Sequence, residues 1–93
     1  MSALSTRETI ETRLRERLAP LHLEVTDDSP MHVGHAGAAS GGGHFSVLVV
    51  SASFEGKSRV ARHRLVYDQL QDLMQGAIHA LALRTVAPSE WSR

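Results

Sequence analysis

The sequence predicts an α+β domain: a three-stranded mixed sheet with helices over one face, in the order α-β-β-α-β-α. Three observations carry this. First, Phe45, Val47 and Val49 fall on one face of a strand and Leu48 and Val50 on the other. A strand apolar on both faces belongs inside a sheet. Second, from Val60 the apolar period changes from two to about 3.6, the mark of a helix. Third, the strand-helix-strand order from 45 to 86 calls for parallel second and third strands joined by a right-handed crossover.

The first helix is expected over 5–19. Ser5 or Thr6 with Glu8 gives a start signal, Ile10, Leu14 and Leu18 give an apolar stripe, and Pro20 ends it. Residues 21 to 26 alternate, with Leu21, Leu23 and Val25 inward and His22, Glu24 and Thr26 outward, as in a half-solvated strand. Asp27-Asp28-Ser29-Pro30 reads as a turn. Residues 29–43, SPMHVGHAGAASGGG, are dominated by glycine and other small residues and read as a flexible loop between neighbouring antiparallel strands.

After the central strand, Gly56 permits a sharp turn and Ser58 can cap a helix. Val60, Tyr67, Leu70 and Met74 form its apolar line, widened by Val66, Leu73 and Ala77, and Gly76 is the expected C-cap. Ile78 to Val86 is the third strand. Pro88-Ser89-Glu90-Trp91 reads as a last helical turn, with Trp91 packing back on the sheet or first helix.

Ninety-three residues suffice for one small domain, and 42% hydrophobic with 22% charged residues predicts an ordinary soluble core. The formal net charge is zero, so attraction to nucleic acid requires a local basic patch. There is no cysteine, which excludes disulfides, thiolate metal sites and a cysteine nucleophile. No run approaches the roughly 18 apolar residues of a membrane span, and MSALSTRETI lacks the layout of a signal peptide. A cytoplasmic protein without membrane contact is expected, monomeric or weakly dimeric when alone.

Two patterns invite chemistry. Gly56, Lys57 and Ser58 match the end of a phosphate-binding G-x-x-x-x-G-K-[ST] loop, but Ser51 stands at the first glycine. A turn followed by an N-cap is the better reading. Beside it, Lys57, Arg59, Arg62, His63 and Arg64 crowd the start of the helix. Cations there oppose the helix dipole, each costing a few tenths of a kcal/mol up to about one. That cost suggests an anionic partner, either nucleic-acid phosphate or an acidic protein surface. The plainer alternative is a solvated face partly neutralised by Glu55 and Asp68. His63 is a member of the patch or a helix hydrogen-bonder.

FEGKSRVARHRLVY, IHALAL and the final PSEW, with LHLEVTDDSPMHVGHAG and GGHFSVLVVS upstream, resemble the BolA family from about residue 7 to 91. The resemblance implies a KH-like fold of the second type, in agreement with the element order. It implies pairing with a monothiol glutaredoxin, through a shared [2Fe-2S] cluster or an apo complex, and bacterial members are DNA-binding transcriptional regulators of stress responses. The G-x-x-G loop of nucleic-acid-binding KH domains is absent, and the family is not one of enzymes; no carboxylate pair or activated nucleophile is visible either.

Such a cluster accepts imidazole as well as thiolate ligands. Lacking thiols, this chain cannot hold one alone but can complete a partner's, so no cofactor is expected in the isolated protein. The resemblance assigns a ligand role to His79, in the HAL motif. It places the second ligand in the long loop, where GHAG matches at His35 and His32 competes three residues earlier. A His-x-x-His metal site in that loop is another reading. His44 and His22 are expected to be structural.

Overall fold

The computed structural model describes residues 4–29 and 42–91. It is an α+β structure whose three-stranded mixed sheet has the spatial order β1 (His22–Asp27), β2 (Gly43–Val50), β3 (Ile78–Val86). β1 pairs antiparallel with β2, and β3 pairs parallel with it, so the doubly apolar strand lies in the centre.

Helix α1 (Thr6–Leu18) starts on a reciprocal cap. The Ser5 hydroxyl accepts the Glu8 N–H at 3.1 Å, and the Glu8 carboxylate accepts the Ser5 N–H at 2.9 Å. These bonds hold the Glu8 carboxyl below its ordinary value. The helix stops at Ala19, which adopts a left-handed φ of 43° before Pro20. A residue preceding proline is pushed out of the helical region.

Helix α2 (Arg59–Gln69) starts at Ser58, whose hydroxyl accepts the Ala61 N–H at 3.2 Å, after a turn in which Gly56 takes a φ of +73°. It is shorter than the sequence predicts. The expected span to Gly76 breaks into a turn and a 3-10 helix at Leu73–Gln75. From α1, the Arg13 guanidinium donates to the Gln69 carbonyl at 3.1 Å and pairs with the Asp72 carboxylate, holding that carboxyl below its usual range. A cation on the last helical carbonyl satisfies both the orphan acceptor and the dipole.

The core lies between the helices and one sheet face. It combines Ile10, Leu14 and Leu18 of α1 with Val66 of α2 and Leu70 at its C-cap, and with Leu23, Phe45, Val47, Val49, Phe54 and Ile78. Each fully buried aliphatic or aromatic side chain of this kind contributes about 1.5–3 kcal/mol. Among the described residues Ser51 is the buried polar residue, and it is satisfied. Its hydroxyl donates to the Leu18 carbonyl at 2.6 Å and accepts the Ser53 N–H at 3.1 Å. It ties the end of α1 to the end of β2 and is no part of a phosphate loop.

Two apolar expectations need correction. Leu21 is 68% exposed; β1 starts only at His22, past the end of α1. In α2, Val60 is 63% exposed and Tyr67 also faces outward, so the inward line is not Val60–Tyr67. The inward row is Arg62, Val66 and Leu70, spaced four apart. Arg62 belongs to it because its stem lies inside while its charged head reaches out at the rim.

Candidate functional site

His79 stands exposed near the start of β3. The β2–β3 register slips there: Gly43 faces Ile78, whereas His44 faces Ala80. His79 is thus the extra residue of a β-bulge, a device that re-aims side chains. Its ring comes beside that of His44, with centroids 5.3 Å apart and planes 29° from parallel. The sequence missed this pairing, because strict alternation would send the two rings to opposite faces.

The supports of the pair are local. The His44 N–H donates to Ser29 Oγ at 3.0 Å and its carbonyl accepts the Asp28 N–H at 2.7 Å. Gly43 N–H donates to the Ala77 carbonyl at 2.9 Å. Gly42 has φ +80°, and a Cβ there would meet His79 Cβ at 3.0 Å. Glycine therefore allows β2 to enter hard against His79. His32, His35 and most of the expected 29–43 loop lie outside the described residues.

As a donor set, this sheet end offers two imidazoles among the described residues. Among the described residues no group of three or more His, Cys, Asp or Glu is placed to hold a metal ion. Two nitrogens and no thiolate fit part of a cluster's ligation and not the whole, so the residues fit a shared centre completed from elsewhere.

The basic patch divides. Arg62 is committed within the fold: its guanidinium donates to both Glu90 carboxylate oxygens at 2.7 and 2.9 Å, to the Thr85 carbonyl at 3.3 Å and to the Lys57 carbonyl at 2.8 Å. This bidentate pair raises the guanidinium's pKa and pulls the Glu90 carboxyl down to about 2. Lys57, Arg59 and Arg64 are exposed, and none forms an ion pair among the described residues. Arg59 and the half-buried His63 line a groove against β3. Glu55, expected to neutralise the patch in part, accepts from the Ser89 N–H at 3.0 Å and hydroxyl at 2.8 Å, and its charge helps to raise the Arg62 pKa. At the opposite sheet end His22 stacks on Trp91 at 5.2 Å and bonds Glu24 at 2.6 Å, so the last turn does fold back on the sheet.

A protein-family model described as BolA-like protein matches residues 14–90. The chain belongs to the BolA family. Within that family it is 42% identical over 85 residues to the DNA-binding transcriptional regulator BolA of Escherichia coli, covering 91% of this chain and 78% of that one. It is 43% identical over 86 residues to SufE-like protein 1, chloroplastic/mitochondrial, of Arabidopsis thaliana, covering 87% of this chain but only 23% of the longer relative. The solved BolA domain of SufE1 from the same plant superposes with a TM-score of 0.81 at 40% identity, covering 97% of this chain and all of that one. BolA-family membership accords with the α+β architecture. Among the described residues no helix is long and apolar enough to cross a membrane.

Proposed function

We propose that this BolA-family protein is a non-catalytic cytoplasmic regulator that binds a monothiol glutaredoxin and contributes histidine ligands to a [2Fe-2S] cluster shared with it. The observation that carries this reading is the His79–His44 ring pair at an exposed, bulged sheet end. The family resemblance supplies the class of partner. With no cysteine in the chain, imidazole is the donor by which it can replace thiolate in such a cluster.

In this reading His79 is the first ligand, aimed by rigid backbone, and Gly42 keeps room for it. His44 joins His35 and His32 as a candidate for the second. A ligand nitrogen must sit within a few tenths of an ångström of its ideal distance, so placement on paired strands favours His79 and His44. When bound, the cluster supplies one-electron chemistry at a potential that imidazole ligation raises. The protein's own residues orient the rings, stay folded without the cluster, and leave His79 exposed to a partner.

Anaerobic reconstitution with and without a monothiol glutaredoxin tests this. The isolated chain should form no stable cluster. The mixture should give visible absorption and circular dichroism distinct from the glutaredoxin's own. A mixture with the spectrum of glutaredoxin alone contradicts the reading.

The second reading is a DNA-binding regulator, favoured by the Escherichia coli relative's name and by the exposed Lys57, Arg59 and Arg64 with His63 beside them. Replacing Lys57, Arg59 and Arg64 by glutamine should then weaken binding about equally for all sequences. It should flatten the salt slope by roughly 0.9 per lost phosphate contact. An unchanged slope removes the patch from DNA binding.

A further inference from the structure

β3 is an edge strand, and its free edge is partly closed and partly open. The Val86 carbonyl points at β2, where it accepts the Ser51 N–H at 3.0 Å. Alternation along the strand then turns the backbone groups of Thr85, Leu83 and Leu81 away from β2. Helix α2 occupies both ends of this row. Arg62 donates to the Thr85 carbonyl at 3.3 Å, and the Tyr67 hydroxyl reaches the Leu81 carbonyl at 3.5 Å. Between these two struts, the Leu83 N–H and carbonyl have no hydrogen-bond partner among the described residues, nor do the N–H groups of Leu81 and Thr85.

This window opens into a groove of about 300 Å³ between helix and strand, walled by Arg59 and His63 on one side and by Leu83, Arg84, Thr85 and Val86 on the other. Arg59 and Arg84 are exposed and unpaired among the described residues. Glu90, the acid beside them, is already neutralised by Arg62. The acid of α2, Asp68, lies at the far end of the helix.

We propose that the β3 edge is a docking strand for an extended acidic segment of a partner protein, which adds as a fourth strand centred on Leu83. An extended peptide supplies both an acceptor for the edge N–H groups and a donor for the Leu83 carbonyl. Its side chains alternate between two faces. Carboxylates on one face meet Arg59 and His63, and those on the other meet Arg84. A phosphodiester offers acceptors only and leaves the Leu83 carbonyl unmet. A second copy of this chain, edge to edge, would set its Arg59 and Arg84 against the same cations. The site is distinct from the His79–His44 pair, so it stands independently of the cluster reading.

The test is a nuclear magnetic resonance titration of the full chain with an end-capped octapeptide of glutamate and valine, acidic on both faces. The expected result is saturable shifts at the Leu81, Leu83 and Thr85 amides, with slowed exchange of the Leu83 N–H. Arg59→Glu with Arg84→Glu should weaken binding by at least about tenfold at unchanged melting temperature. N-methylation of alternate amides along the peptide edge that faces β3 should abolish binding. The proposal is overturned if the N-methylated peptide binds equally, if nothing saturates by about 1 mM, or if the shifts map to the outer sheet face around Leu48. It is also overturned if single-stranded DNA saturates these amides and the peptide does not.

Discussion

Arg62 illustrates how far a single residue can be read from sequence. Its neighbours suggest a cation for phosphate, but its position in line with Val66 and Leu70 makes it the rim of the core. Only 11% of its side chain is exposed, and it bonds four acceptor atoms. Arg62→Gln is therefore expected to lower the melting temperature, whereas Arg59→Gln stays within about 0.5 kcal/mol of the parent. Equal thermal melts for the two variants would contradict this. The same pair sets an acid limit. The Glu90 carboxyl is depressed to about 2, so the folded state binds fewer protons than the unfolded one as acid is added. The pair's contribution is complete above the ordinary carboxylate value and is lost as pH falls through the interval down to about 2. Half of the Glu90 side chain lies in solvent, so screening keeps the contribution modest. In Glu90→Gln the loss of stability between neutral pH and pH 3 should be smaller than in the parent, measured by urea unfolding. The ring of His44 beside His79 was not legible in the sequence, because no periodic pattern encodes a bulge.

At the scale of elements, strand existence, pairing and direction were legible because hydrophobic alternation and turn residues agreed along the chain. Helix α2 was legible in type and start but not in length. Its end is set by Arg13, fifty-six positions away in sequence from the Gln69 carbonyl it caps, and no local signal carries that contact. The entry to β2 depends on Gly42. Gly42→Ala should cost about 1 kcal/mol, from the positive φ and the close approach to His79 Cβ, and should shift the His79 ring resonances. Unchanged resonances would separate the glycine from the ring. The 3-10 turn Ala52–Phe54 inserts Phe54, fully buried, under the sheet end. Phe54→Ala should cost about 3–5 kcal/mol in equilibrium unfolding, far more than removal of the exposed Val60 side chain from α2.

For the whole molecule, the sheet does two jobs. One face takes both helices and supplies the stability; the ends and the free edge carry the polar groups available to partners. His79 and His44 lie at one end, and the cations of α2 with Arg84 lie along the β3 edge toward the other. The two proposals thus place a metal-bearing partner and an acidic one on separate surfaces of one small domain. The central claim is that imidazole from this chain, led by His79, enters a cluster shared with a monothiol glutaredoxin. Pulsed electron paramagnetic resonance of the reduced, reconstituted complex tests it most directly. The account predicts strong nitrogen-14 couplings of directly bound imidazole in the parent complex, reduced or lost in His79→Ala while the variant stays folded. A parent complex without such couplings, or a His79→Ala complex that retains them in full, would contradict it.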